Sequence, residues 1–454
     1  MIRRLAFAAF VLAFAAALWF RIDRPVRVVP NFAAEMLCIE TFLSGRDPSL
    51  AFEQIVAKQP GMNPVAGAIA WRVDREKREA HAALARLLSA RAVFIEGYGC
   101  LLDHGAPLPP PRAASPPLAP EGPALVAPPA GSKLALALDH VFAPFEDGAP
   151  RGTQAVVVLK DGALVAERYA DDVTPQTRVS GISLTKSLTN ALVGVLVRDG
   201  ALDVKAPGLI AAWSRPEDPR RAITVENLLR MDSGLDFDET NSGFDANTRM
   251  LDLEDDMAAF SEGARRIAAP GERWAYSSSS IMVVDALLRA QIGGPDKLAA
   301  FARERLFVPA GMTSFALGFD ATGTFVGSTH AAATARDWAR FGELFRNDGM
   351  AGQTRILPQG WADFSASPTS SARYGYGVGF WTNRGDSFGA LARVKMGFPA
   401  DSWFASGSMG QRVVIVPSQK LTIVRLGRVA RWPDFDIEGT ARLVRETVEA
   451  LNAP

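Results

Sequence analysis

Ser183 and Lys186 stand three residues apart in the stretch Val179-Ser180-Gly181-Ile182-Ser183-Leu184-Thr185-Lys186-Ser187-Leu188. A hydroxyl and an amine at that spacing can act as nucleophile and proton acceptor if a helix carries both on one face. The residues that follow supply such a helix. Ser183–Arg198 is apolar nearly all round, through Leu184, Leu188, Ala191, Leu192, Val193, Val195, Leu196 and Val197, and it stops at Asp199-Gly200. A helix hydrophobic on every face is buried in its domain, and Gly200 suits its C-terminal end. Desolvation would disfavour the ammonium form of Lys186 and let it act as a base near neutral pH. The helix N-terminus would stabilise negative charge beside Ser183 and leave its amide free to donate to an oxyanion. The competing reading is the first polar turn of an ordinary core helix, which the pair alone does not exclude.

Other residue types narrow the choice of base. A Ser-His-Asp hydrolase needs an imidazole, and the chain has four histidines. His81 and His104 lie before or at a proline-rich stretch, His140 just after it, and His330 behind a Gly-Ser-Thr loop; each reads as structural. The base is then Lys or Tyr. Of the five tyrosines, Tyr276 sits in Gly271-Glu272-Arg273-Trp274-Ala275-Tyr276-Ser277-Ser278-Ser279-Ser280, a polar loop running into the helical stretch Ile281–Leu288. It either presents its hydroxyl to a cleft or packs beneath the loop. Tyr374, Tyr376 and Trp381 likewise line a cleft or pack under it. The acidic run Asp252–Asp256 reads as solvated surface.

The elements needed to position these residues can be read on either side. Thr153–Leu159 and Ala163–Ala170 flank Asp161-Gly162, a hairpin signal. Gln411–Val416 and Leu421–Leu426 flank Pro417–Lys420, a second hairpin, and Asp436–Leu451 is an amphipathic helix with an acidic first turn. Between the hairpins lie helical stretches at Ser183–Arg198, Val225–Met231, Ser280–Gln291, Lys297–Leu306 and Ala333–Phe345. Strands at both ends with helices between them predict an α+β domain over residues 134–454: an antiparallel sheet flanked by helices, with an inserted helical subdomain.

Upstream, Met1-Ile2-Arg3-Arg4 precedes an unbroken apolar run, Leu5 to Phe20, and then Arg21. Residues 1–24 therefore read as an export signal, either cleaved or kept as a membrane anchor, which predicts a periplasmic or cell-envelope protein. Residues 25–105 form a small N-terminal region in which Asp74–Ala92 has strong helix composition. It holds both cysteines of the chain, Cys38 and Cys100, which would pair in an oxidising compartment; no Cys-His cluster suggests zinc. Proline density over residues 106–133 predicts an extended linker. With 454 residues, 22% charged and a formal net charge of +0, the chain offers no cationic face for nucleic acid.

Four stretches together resemble the serine β-lactamase and penicillin-binding-protein superfamily, in its class C-like branch of esterases, D-peptidases and 6-aminohexanoate-dimer hydrolases. Ser183-Leu184-Thr185-Lys186 looks like the S-x-x-K motif. Ile223-Thr224-Val225-Glu226-Asn227-Leu228-Leu229-Arg230-Met231-Asp232-Ser233-Gly234 looks like a helix of that branch. Pro270-Gly271 through Tyr276-Ser277-Ser278 looks like the Y-x-N motif, and Ala405-Ser406-Gly407-Ser408-Met409-Gly410-Gln411 falls where the K-T-G strand belongs. They occur in family order across roughly Leu134 to Leu451. The resemblance implies a β-lactamase/DD-peptidase-like fold and a small-molecule amide or ester substrate, with no metal or cofactor. It makes Ser183 the acylated nucleophile, Lys186 its proton acceptor and Tyr276 the proton shuttle. Ser278 and Ser408 become substrate-binding positions, with the amides of Ser183 and Ser408 as oxyanion donors. Two departures count against a true β-lactamase: Ser278 replaces the Asn of Y-x-N, and Ser406-Gly407-Ser408 has no K-T-G lysine to meet a carboxylate. The 6-aminohexanoate-dimer hydrolase branch tolerates both. The rival expectations are a DD-peptidase or β-lactamase proper, and a non-turnover penicillin-binding or sensor protein.

Overall fold

The computed structural model describes residues 24–59, 61–112, 125–240, 242–243, 245–431 and 435–452. The export-signal segment lies almost wholly outside the described residues, as does the middle of the proline-rich linker. Among the described residues, no helix is long and apolar enough to cross a membrane.

The N-terminal region is a module in which α1 (Arg24–Cys38) lies across an antiparallel sheet. The sheet is made of β1 (Ile69–Asp74), β2 (Glu79–Leu84), β3 (Leu88–Ile95) and β4 (Gly99–Leu102), paired in that order. The helix expected over Asp74–Ala92 is therefore absent; the stretch is strand and tight turn. Ala80 pairs with Ala92 and Ala82 with Ala90, all four buried, and these small side chains let Ala33, Ala34 and Leu37 of α1 approach the sheet. The buried positions alternate with a period of two beneath a composition of Ala, Glu and Arg that favours helix. Both turns also lack the expected Gly or Asn: Arg78, Ala85 and Arg86 take φ of 57°, 49° and 59° themselves.

Cys38, at the end of α1, is bonded to Cys100 in β4 across 62 residues of sequence. Cross-linking a loop of that size restricts the unfolded chain by about 4 kcal/mol. Replacing both cysteines with serine is expected to lower the unfolding free energy of the module by about that much in urea titration. A change under about 1 kcal/mol would mean that the module is held by its core alone.

The second body begins with α2 (Lys133–Phe142) and the hairpin β5 (Thr153–Lys160) and β6 (Ala163–Tyr169), whose turn has Asp161 and Gly162 both at positive φ. A short strand, β7 (Val179–Ser180), leads to α3 (Thr185–Arg198). Then come α4 (Val225–Arg230), α5 (Ala246–Leu253), α6 (Ser278–Ile292), β8 (Ala316–Leu317), β9 (Ala331–Ala333) and α7 (Ala335–Arg346). The chain returns through β10 (Trp381–Thr382), α8 (Phe388–Met396), β11 (Trp403–Gly407), β12 (Gln411–Val416), β13 (Leu421–Gly427) and α9 (Ile437–Leu451).

Among the described residues the central sheet has six antiparallel strands in the order β10-β11-β12-β13-β5-β6, so both ends of the domain build it, as expected. Its middle strands are buried on both faces. Val156 and Val158 of β5 point into one core with α2 and α9, while Ala155, Val157 and Leu159 point into the other with α3, α6 and α7. α3 runs through that second core, with Thr185 to Leu196 all buried. Its N-terminus is thereby fixed beside the end of β11.

Candidate active site

Ser183 lies in the single turn Ile182–Leu184 that leads from β7 into α3. Ile182 takes φ +47°, a left-handed conformation that a β-branched residue rarely adopts and that costs about 1–3 kcal/mol. The surroundings impose it. The Gly181 amide donates to the Ala331 carbonyl at 2.8 Å, and Gly181 leaves no room for a side chain against the Trp338 ring.

The turn sets Ser183 Oγ 3.0 Å from Lys186 Nζ, and the same Nζ is 3.0 Å from the Ser328 carbonyl oxygen. Lys186 is only 1% exposed, so its amine works away from bulk water. It also lies 4.9 Å from the centre of the Tyr276 ring. Burial pushes the Tyr276 hydroxyl's pKa up; Lys186 opposes that shift and Glu239 adds to it, with Ser183 and Lys186 both in reach of the hydroxyl. Tyr276 is thus a neutral phenol near pH 7, suited to pass a proton on rather than to be the first base.

A buried carboxyl fixes the far side of Lys186. Asp285 of α6 accepts from Thr189 Oγ1 of α3 at 2.9 Å and from the Gly327 amide at 3.0 Å, and burial raises its pKa well above the usual carboxylate range. It ties α3, α6 and the Gly327–His330 loop together, and that loop supplies the Ser328 carbonyl.

On the opposite side, Gly407 ends β11 against the nucleophile turn. A Cβ there would overlap the Gly181 carbonyl oxygen and lie 3.2 Å from Ser183 N. Arg412 braces the Gly407 carbonyl at 2.8 Å, and half-buried Ser408 follows, then Met409 at φ +62°. The chain entering Ser408 therefore lies directly beside the Ser183 amide. Ser278 is placed differently from Ser408. As the first residue of α6 it is fully buried, its amide donates to Glu239 Oε2 at 2.6 Å, and its Oγ has no hydrogen-bond partner among the described residues.

Aromatic rings form one wall. Tyr276 stacks on Trp381 at 5.7 Å and meets the edge of Tyr376 at 5.9 Å; Trp274 touches Tyr374, Tyr376 and Trp381. Tyr376 is buried beneath the others, and Tyr374 is exposed. Glu239, Ser328 and Asp285 were not anticipated from the sequence. Glu239 sits in an irregular acidic loop without periodicity; tertiary packing alone brings Ser328 to Lys186 and Asp285 to Thr189 and Gly327. Asp252, expected on a solvated surface, is buried. The spacing Gly385-Asp386-Ser387-Phe388-Gly389 matches a nucleophile elbow, but Ser387 is the N-cap of α8 and its Oγ accepts from the Ala390 amide at 3.3 Å. No group of His, Cys, Asp or Glu among the described residues is arranged to hold a metal ion.

The sequence matches the β-lactamase family over residues 138–446. The chain belongs to the β-lactamase family. It is similar to a 6-aminohexanoate-dimer hydrolase of Paenarthrobacter ureafaciens, with 23% identity over 310 residues, 63% of this chain and 74% of that protein. A penicillin-binding protein homologue from Caulobacter crescentus superposes with a TM-score of 0.56 at 15% identity, covering 71% of this chain and 98% of that one. A family VIII carboxylesterase does so with a TM-score of 0.55 at 16% identity, covering 73% and 99%. At these identities the structural likeness shows the fold, the α+β architecture expected from the two hairpins. Membership of the β-lactamase family makes the chain an enzyme of the serine hydrolase type.

Proposed function

We propose that the protein hydrolyses amide or ester bonds of small molecules through an acyl-enzyme on Ser183. The observation that carries this reading is the buried Lys186 amine 3.0 Å from Ser183 Oγ. As Ser183 Oγ attacks the carbonyl carbon, Lys186 takes its proton. The carbonyl oxygen becomes an oxyanion held by the Ser183 and Ser408 amides. Tyr276 gives a proton to the departing amine or alcohol as the bond to it breaks and takes back the one that Lys186 carries, so both return to their starting forms. Water then attacks the ester, its proton leaves by the same groups, and the acid is released as Ser183 Oγ regains a proton.

The substrate reading follows the 6-aminohexanoate-dimer hydrolase branch. Linear amides and esters suit an aromatic wall that includes Trp274, Tyr276 and Trp381. Glu239 gives this wall a carboxylate, β11 ends without the K-T-G lysine, and the neighbouring Arg412 is buried on the Gly407 and Gln411 carbonyls, so a β-lactam carboxylate would lack its usual partner. An exported enzyme is part of the proposal, because the basic and apolar N-terminus and the Cys38–Cys100 bond both suit an oxidising compartment.

A substrate panel tests the proposal: p-nitrophenyl esters of increasing acyl length, the linear 6-aminohexanoate dimer, a D-Ala-D-Ala peptide and a chromogenic cephalosporin. The expected result is turnover of esters or the linear amide with kcat/KM at least about tenfold above the cephalosporin, the discrimination a missing charge-assisted bond supplies. A cephalosporin or D-Ala-D-Ala peptide as best substrate would overturn it in favour of a β-lactamase or DD-peptidase. A stable adduct without turnover would make the protein a sensor.

A further inference from the structure

The N-terminal module reaches both sides of the candidate active site through two buried glutamates of one helical stretch. Glu35 of α1 places Oε1 3.0 Å from His330 Nε2, and His330 Nδ1 is 2.8 Å from Thr329 Oγ1. Both members of the Glu35–His330 pair are nearly buried, at 7% and 11% side-chain exposure. His330 closes the loop whose Ser328 carbonyl holds Lys186 Nζ. The module grips the same segment a second time: the Phe319 amide donates to the Tyr98 carbonyl at 2.9 Å, and the Gly318 amide to the His330 carbonyl at 2.6 Å. Glu40, just beyond the α1 C-terminus, accepts from Arg428 at 2.7 Å with both side chains buried. Arg428 precedes Val429, whose amide donates to the Met409 carbonyl at 2.9 Å, one residue past Ser408.

We infer that the module is a positioning element for catalysis, with Glu35 acting through His330 to set Lys186 and Glu40 acting through Arg428 to set the chain at Ser408. This inference rests on the assignment of Ser183 as nucleophile with Lys186 as its base. A module serving only as a tether would need neither buried pair, since taking such polar side chains out of water costs free energy that their partners must offset. The Cys38–Cys100 bond lies between the two glutamates and holds their helical stretch to β4, which fits a part whose placement matters. Neither glutamate touches the reacting atoms; both are positioning residues.

The test compares rates of Ser183 modification by a fluorophosphonate in the full chain. The variants are Glu35→Ala, Glu35→Gln and, as control, Asn31→Ala, which loses a 2.6 Å bond from α1 to the Asp252 carbonyl at the same interface without touching His330. Thermal unfolding is followed alongside, and rates are taken where each variant is folded. Glu35→Ala is expected to slow labelling by about tenfold or more, the loss that a small misplacement causes. Glu35→Gln, whose amide oxygen still accepts from His330, is expected to recover most of it. Asn31→Ala should label at the wild-type rate even if its melting point falls. If Glu35→Ala does not fold, His330→Ala carries the same expectation from the other partner. Wild-type labelling of the alanine variant, or equal slowing in Asn31→Ala, would overturn the inference while leaving Ser183 as nucleophile. An unlabelled wild type would instead remove the reading on which it rests.

Discussion

Lys186→Met is expected to lower kcat by about a thousandfold, the middle of the range that general-base catalysis supplies. The side chain lies 1% exposed with its amine on Ser183 Oγ and the Ser328 carbonyl, so methionine fills its volume and removes both the proposed proton acceptor and the donor to Ser328. Burying an amine is costly, and a thioether there is not. The relief of no longer burying an amine offsets the unpaired Ser328 carbonyl, so the melting temperature should change by only a few degrees while activity falls. That combination separates a catalytic role from a structural one. A core lysine that merely satisfied the Ser328 carbonyl would show the reverse, with stability lost and activity kept. Activity within tenfold of the wild type in a folded Lys186→Met protein would contradict its role as base. Ester hydrolysis and thermal unfolding on one preparation decide between these outcomes.

Gly407→Ala should be nearly as damaging by a different route. The new methyl group would overlap the backbone oxygen of Gly181 and approach Ser183 N to 3.2 Å and Gln411 Cβ to 3.1 Å. Backbone atoms on both sides cannot rotate away as a flexible side chain would, so β11 and the nucleophile turn must separate. If the Ser183 and Ser408 amides form the oxyanion site, that separation costs about a hundredfold to a thousandfold in kcat, the usual loss of one such donor. The stability cost is expected to be about 1–3 kcal/mol, as for other overpacked interiors. KM should change less than kcat, because the oxyanion exists only after attack. A Gly407→Ala enzyme with normal kcat would place the oxyanion donors elsewhere.

The central domain was readable because its signals are local. Asp161-Gly162 announces a turn, Gln411–Val416 and Leu421–Leu426 flank Pro417–Lys420 as a second hairpin, and the apolar run into Asp199-Gly200 marks a buried helix. Ser183, Lys186 and Tyr276 could be named from those elements and from family order, and the structure brings the three together. The N-terminal module was misread for an equally physical reason. Its sheet packs alanine on alanine, its turns use Arg78, Ala85 and Arg86 in left-handed conformations, and neither choice leaves the usual strand or turn residues in the sequence. Contacts made by tertiary packing were invisible for want of any local pattern. Glu35 and His330 are 295 positions apart, and His330 read from sequence as structural. Glu239 carried no signal beyond being one acid among several.

Intact-protein mass after exposure to a fluorophosphonate, with Ser183→Ala alongside, tests the central claim most directly. An acyl-enzyme mechanism on Ser183 predicts one adduct on the wild-type chain and none on Ser183→Ala. An unmodified wild type, or equal modification of both, would contradict it and return Ser183 and Lys186 to the polar first turn of a core helix.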